Sequence, residues 1–121
     1  MITGGSQGLG KCVAIELAKL GSHITILARN PTKLRLAVDE IKQFIVSPSQ
    51  VISGISADVS DALAMVKAFE TAKDMAGRTP DLVFCCAGQS IPGWFVDQDP
   101  VLFENGMKVN YLGSVITAQV R

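Results

Sequence analysis

The chain has 121 residues, with 11 basic and 11 acidic side chains and a formal net charge of zero. Hydrophobic residues make up 48% and charged ones 18%, too apolar for disorder and without the basic cluster that nucleic acid demands. The longest apolar run, Leu82 to Ala87, is far shorter than the ~20 residues that cross a bilayer, and no charged start followed by an apolar stretch marks a signal peptide.

The length fits one domain. Met1-Ile2-Thr3 stand directly before a glycine loop, where a full central strand belongs, so the first strand is expected to be missing. From Gly8 to Leu20, the residues Leu9, Val13, Leu17 and Leu20 form one apolar helical stripe, and Gly21 stops that helix. The β-branched run His23 to Ala28 predicts a strand. Pro31 opens a second helix reaching about Phe44, and Val51 to Ala57 predicts a further strand. Ser60 or Asp61 caps a third helix, with Ala64, Ala68 and Ala72 on one face and an end near Gly77. Asp81 to Cys86 is almost wholly apolar, which predicts a strand covered on both faces. Asp99 and Pro100 start a last helix that runs to Arg121. Strands alternating with helices of this length predict an α/β fold with a parallel sheet.

Cys12, Cys85 and Cys86 are an odd set with no Cys-x-x-Cys spacing, and His23 is the one histidine. Neither a disulfide nor a metal centre is expected, and a reducing compartment is the natural setting. The edges of the chain, together with a mean hydropathy of +0.33, predict a fragment of a larger fold.

Thr3-Gly4-Gly5-Ser6-Gln7-Gly8-Leu9-Gly10 lies between a strand end and a helix start. Glycines there let the backbone turn tightly and approach a pyrophosphate, which the helix N-terminus attracts. Gly4, Gly8 and Gly10 are the structural glycines, with Ser6 and Gln7 as further donors; a turn that binds nothing is the plainer reading. Arg29 ends the next strand, nineteen residues after Gly10. A carboxylate there would bind ribose hydroxyls, whereas an arginine accommodates the 2′-phosphate of NADP. Lys33 adds a second charge, though both also read as solvated surface cations. Asp58, after the third strand, either accepts from an adenine amino group or closes an Asx turn with Ser60. Ala87-Gly88 lets the backbone pass close to the coenzyme's second ribose. Asn110 shares a helical stripe with Phe103 and Met107, which marks it either for the active site or for tying the helix to a neighbouring loop.

Together these residues resemble the short-chain dehydrogenase/reductase family. TGGSQGLG at 3–10 matches its glycine loop, DVSD at 58–61 its adenine-side motif, CCAG at 85–88 its Asn-Asn-Ala-Gly motif, and VNYLG at 109–113 its active-site asparagine segment. The resemblance covers essentially the whole chain. It implies a Rossmann-type, doubly wound, three-layer sheet, here incomplete, that binds NADPH. It places Gly4, Ser6, Gln7, Gly8, Leu9 and Gly10 on the pyrophosphate side, Arg29 and Lys33 at the 2′-phosphate, and Asp58 at the adenine. Ala87 and Gly88 pass beside the nicotinamide ribose, and Asn110 orders a water in the proton relay.

Within the family, TGGSQGLGK, ILARN, PDLVFCCAGQS, PGWFVDQD and NYLGS are similar to the fungal-type members acting on a long-chain keto-lipid. That similarity implies NADPH-dependent reduction of 3-ketosphinganine to sphinganine in sphingolipid synthesis, on the cytosolic face of the endoplasmic reticulum membrane. CCAG departs from the family by lacking both asparagines, and Tyr111 is followed four residues later by Val115, so no Tyr-x-x-x-Lys occurs. The 121 residues alone are therefore expected not to turn over. Two other readings stand beside this one: a short-chain reductase of another lipid or a small carbonyl, and a non-catalytic NADP(H)-binding module. The loop Gln89 to Asp99 is apolar enough to meet a lipid chain or to be buried, and the last helix is apolar enough to pair with a second copy.

Overall fold

Ile26 and Leu27, adjacent in the run HITILA, bury their side chains in two different cores, as the two-residue period of a strand requires. The computed structural model, which describes residues 1–120, shows that strand at the centre of an α/β sandwich. Four strands, β1 (Ile2–Thr3), β2 (Ile24–Ala28), β3 (Ile52–Ser56) and β4 (Phe84–Cys85), lie in the order β3-β2-β1-β4, with every pairing parallel. The helices are α1 (Gly8–Lys19), α2 (Pro31–Ile41), α3 (Ala62–Ala76), α4 (Pro100–Met107) and α5 (Gly113–Gln119).

Three layers result. On one face Ala14 and Ala18 of α1 and Leu34, Ala37 and Ile41 of α2 pack on Ile2, Ile24, Ile26 and Ile52. On the other, Met65, Ala68, Phe69 and Ala72 of α3 pack with Leu27, Ala57 and Val59, joined by Ile116 of α5. Each fully buried aliphatic side chain contributes roughly 1.5–3 kcal/mol. One polar pair crosses the buried sheet, where Thr25 Oγ1 and Ser53 Oγ lie 2.9 Å apart and satisfy one another.

The first strand, expected to be missing, is present in two residues that bridge β2 and β4. The apolar stripe of α1 is met in part: Val13 and Leu17 pack against the core beside fully buried Ala14 and Ala18, while Leu9 and Leu20 at its ends are exposed. The second helix ends at Ile41 and continues as a 3-10 turn, Lys42–Phe44. Its start is capped by Asn30, whose Oδ1 accepts the Lys33 N–H at 2.9 Å. Asp61 caps α3 by accepting from the Ala64 N–H at 3.0 Å, and the helix ends at Gly77 with φ +67°.

The strand expected to be covered on both faces is covered on one: Phe84 and Cys86 pack against the first core, while Val83 and Cys85 are exposed. Apolar content reports what a strand can bury, and not which of its faces is covered. The last helix is broken into α4, a π-helical turn over Lys108–Leu112, and α5; Arg121 lies outside the described residues. None of α4 is buried, so Phe103 and Met107 do not line an internal face. The chain returns to the second core at Gly113, where a Cβ would lie 2.6 Å from Val59 Cγ2.

Candidate functional site

Parallel strands point their carboxyl ends the same way, and the loops that follow them meet in one crevice. Here that crevice is lined by Gly4, Ser6, Gln7, Gly8, Leu9, Gly10, Arg29, Lys33, Asp58, Ala87 and Gly88, residues from four separate connections. Asn110, also singled out by sequence, is not part of the lining.

The floor is the glycine loop. Gly4 has φ +66°, and a Cβ there would lie 2.8 Å from the backbone of Cys86 and Ala87. A Cβ on Gly10 would lie 2.6 Å from the Gly4 carbonyl oxygen, so the first turn of α1 can nest on the loop only without side chains. The Gly5 N–H donates to Leu27 O at 3.2 Å and moors the loop to β2. Gln7, at the N-cap of α1, makes no side-chain cap hydrogen bond. The first-turn N–H groups thus keep their positive end of the helix dipole for an anion.

One wall is basic. The ion pairs among the described residues are Lys11–Glu40, Lys19–Glu16 and Arg78–Asp81; neither Arg29 nor Lys33 takes part in one. Lys33 Nζ instead donates to Gln7 Oε1 at 3.1 Å across the mouth. Arg29 is placed by its backbone, whose carbonyl accepts from Ser56 Oγ at 3.0 Å.

Asp58 closes the Asx turn. Its Oδ1 accepts from Ser60 N–H at 2.9 Å and from Ser60 Oγ at 2.7 Å. The Ser60 hydroxyl holds the carboxyl below the usual aspartate range, helped by the Ser60 N–H and the Arg29 guanidinium, while burial opposes the shift. The carboxylate still faces the crevice, so turn formation and ligand contact are compatible.

At the end of β4, burial pushes the thiols of Cys85 and Cys86 up. Neither is the lowered-pKa thiolate that nucleophilic chemistry needs. Asn110 ties the helix to the loop: its Oδ1 accepts from Gln89 N–H at 2.8 Å and its Nδ2 donates to Gln89 O at 2.9 Å. That paired contact holds the chain just beyond Gly88, where a Cβ would stand 3.3 Å from Asn110 Oδ1. The π-turn around Asn110 is closed by the Gly113 N–H donating to Lys108 O, five residues back. π-turns of this kind concentrate at functional sites.

Sequence reasoning missed several contributors. Buried Thr3 donates through Oγ1 to Phe84 O at 3.4 Å and accepts from Ala87 N–H at 3.2 Å, pinning the end of β4 beside the glycine loop. A hydroxyl directly before a glycine loop was the available signal. Asn30, Ala57, Val59 and Val109 also line the crevice, and only Asn30, as a cap before Pro31, carried a readable sign. The loop Gln89 to Asp99 is neither buried nor in the crevice: Trp94 is 81% exposed, and Phe95 meets Phe103 at 5.3 Å between ring centroids. Among the described residues no group of three or more His, Cys, Asp or Glu is placed to hold a metal.

Comparison with known proteins places this crevice in context. The short chain dehydrogenase family model matches residues 1–120. A bovine (Bos taurus) protein named 3-ketodihydrosphingosine reductase is 43% identical over 116 residues, covering 95% of this chain and 35% of that protein. A Schizosaccharomyces pombe PIGF/3-ketodihydrosphingosine reductase fusion protein is 42% identical over 118 residues, covering 95% of this chain and 22% of that one. The chain thus spans about a third or less of the length of these relatives. Among solved structures, a short-chain type dehydrogenase/reductase from Mycobacterium marinum superposes with a TM-score of 0.88 at 27% identity, covering 98% of this chain and 46% of that one.

Proposed function

The chain belongs to the short-chain dehydrogenase family, and from that premise we propose that the whole protein reduces the 3-keto group of 3-ketosphinganine to sphinganine with NADPH. The observation that carries the reading is the pairing of a side-chain-free floor at Gly4 and Gly10 with two cations, Arg29 and Lys33, engaged in no ion pair among the described residues. A pyrophosphate suits the floor, and a 2′-phosphate suits the cations. The names of the 40%-range relatives supply the substrate class.

In this reading the coenzyme supplies a hydride to the carbonyl carbon, and the chain's own residues bind and orient. Gly4, Ser6, Gln7, Gly8, Leu9 and Gly10 hold the bridging phosphates on the N-terminus of α1. Arg29 and Lys33 take the 2′-phosphate as charged donors, which favours NADPH over NADH by charge alone. Asp58 keeps one carboxylate oxygen for the adenine amino group while Oδ1 serves Ser60. Ala87 and Gly88, clamped by Asn110 and Thr3, bring backbone close to the nicotinamide ribose. With two contacts spent on Gln89, the Asn110 amide retains one N–H and one lone pair for an ordered water. A carbonyl gaining hydride also needs a proton donor. Residues 1–121 hold no Tyr-x-x-x-Lys, since Val115 follows Tyr111 at that spacing.

From the family resemblance we also propose that the whole protein works on the cytosolic face of the endoplasmic reticulum membrane, and from the apolar last helix that it pairs with a second copy. No helix among the described residues is long and apolar enough to cross a membrane. The test is NADPH consumption by the whole protein with 3-ketosphinganine and with a short-chain ketone. Turnover of the long-chain substrate with NADPH supports the reading, and turnover of the short ketone alone rejects it.

A further inference from the structure

We propose that Gln7 is a positioning residue for coenzyme selection: its side-chain carbonyl holds the Lys33 ammonium over the mouth of the crevice, ready for a 2′-phosphate. The proposal rests on the NADPH reading above and deepens it. Gln7 and Lys33 belong to different connections, the first after β1 and the second after β2, yet Lys33 Nζ donates to Gln7 Oε1 at 3.1 Å. The other end of the lysine is also fixed, because its backbone N–H donates to Asn30 Oδ1 at 2.9 Å.

An exposed lysine surrenders rotamer freedom when it orders. A contact made before the ligand arrives removes part of that cost from binding. The chemistry of the holder matters as much as its reach. An amide oxygen accepts one of three ammonium N–H groups, leaving two donors and the whole positive charge for a phosphate. A carboxylate in the same place would hold the lysine more firmly, but would neutralise it and repel the phosphate. Gln7 also faces no competitor for Lys33, which joins no ion pair among the described residues.

The experiment measures dissociation constants for NADPH and NADH by calorimetry on the whole protein, as wild type, Gln7→Ala, Gln7→Met, Gln7→Glu, Lys33→Ala and Gln7→Ala/Lys33→Ala. An exposed polar contact of this kind corresponds to about a two- to fivefold effect. Gln7→Ala and Gln7→Met weaken NADPH by that factor beyond any loss they cause for NADH, and Gln7→Glu lowers the preference further. In the Lys33→Ala background the Gln7 change leaves the preference where it was. Equal loss for both coenzymes, or the same loss of preference with and without Lys33, overturns the proposal. Arg29→Glu in the same series separates the two levels. If it abolishes a wild-type preference that Gln7→Ala leaves intact, only the role of Gln7 fails; if the wild type shows no preference at all, the NADPH reading fails with it.

Discussion

Replacing Gly10 by alanine tests the floor of the crevice with a single methyl group. The new Cβ would stand 2.6 Å from the Gly4 carbonyl oxygen, 2.9 Å from its carbon and 3.1 Å from Gly5 Cα, where ordinary contact begins at 3.4 Å. All three neighbours are backbone, so no side chain can swing aside; the loop and α1 must separate by about 0.8 Å, the difference between 3.4 and 2.6. Overpacking of this sort costs roughly 1–3 kcal/mol, set against about 1 kcal/mol gained from alanine's helix propensity. The melting temperature therefore falls only modestly. Ligand binding suffers more, because a hydrogen bond stretched from about 2.9 Å by that amount is no longer a hydrogen bond. Calorimetry on folded Gly10→Ala protein is expected to show NADPH and NADH both weakened at least about tenfold, which is 1.4 kcal/mol, since both share the pyrophosphate. Unchanged affinity for both coenzymes in a folded variant would falsify the placement of the phosphates on this loop.

Three further outcomes follow from the geometry. Asn110→Ala removes both hydrogen bonds to Gln89, and at about 0.5–1.5 kcal/mol each it destabilises the protein by about 1–3 kcal/mol while Gln89 amide exchange quickens; unchanged exchange contradicts the clamp. Ser60→Ala removes the main cause of the depressed Asp58 pKa, so an NMR titration finds the carboxyl moved up. In the wild type the stabilisation linked to Asp58 is complete above the ordinary aspartate value of about 3.9 and is lost as pH falls through the lowered folded value; in Ser60→Ala that stabilisation is smaller and its loss is complete at higher pH. Gly113→Ala presses a methyl 2.6 Å from Val59 Cγ2 and lowers the melting temperature, and Val59→Ala in the same chain offsets part of that loss. Simple additivity of the two would contradict direct contact.

Much of the fold was readable because its signals are local. Proline, glycine and capping residues delimit α2 and α3, and the β-branched run HITILA is a strand in any context. The crevice was readable for a related reason: a parallel sheet brings the residues after each strand to one end, so Gly4, Arg29, Asp58 and Ala87 converge from sequence position alone. What escaped depends on packing between distant segments. The hydrophobic stripe of α1 located Val13 and Leu17, which pack on the core, but it also took in the exposed Leu9 and Leu20 and passed over Ala14 and Ala18, whose small side chains are the most deeply buried. The run Asp81 to Cys86 looked doubly covered, but composition does not record that only the Phe84 and Cys86 side meets the core while Val83 and Cys85 stay exposed. Asn110 was recognisable as unusual on its stripe; that both ends of its amide would go to Gln89 depends on the π-turn, which depends in turn on Gly113 seating against Val59. The Gln7–Lys33 contact joins two exposed side chains on separate loops, and no periodicity marks such a pair.

The central claim is that Arg29 sits where a 2′-phosphate binds, and the most direct measurement is the ratio of NADPH to NADH dissociation constants in the whole wild-type protein and in Arg29→Glu. Hydrogen bonds to a charged group contribute about 1.5–3 kcal/mol, so the wild type is expected to favour NADPH by roughly ten- to a hundredfold and the variant to lose or invert that preference. Equal affinity for the two coenzymes in the wild type would contradict the account.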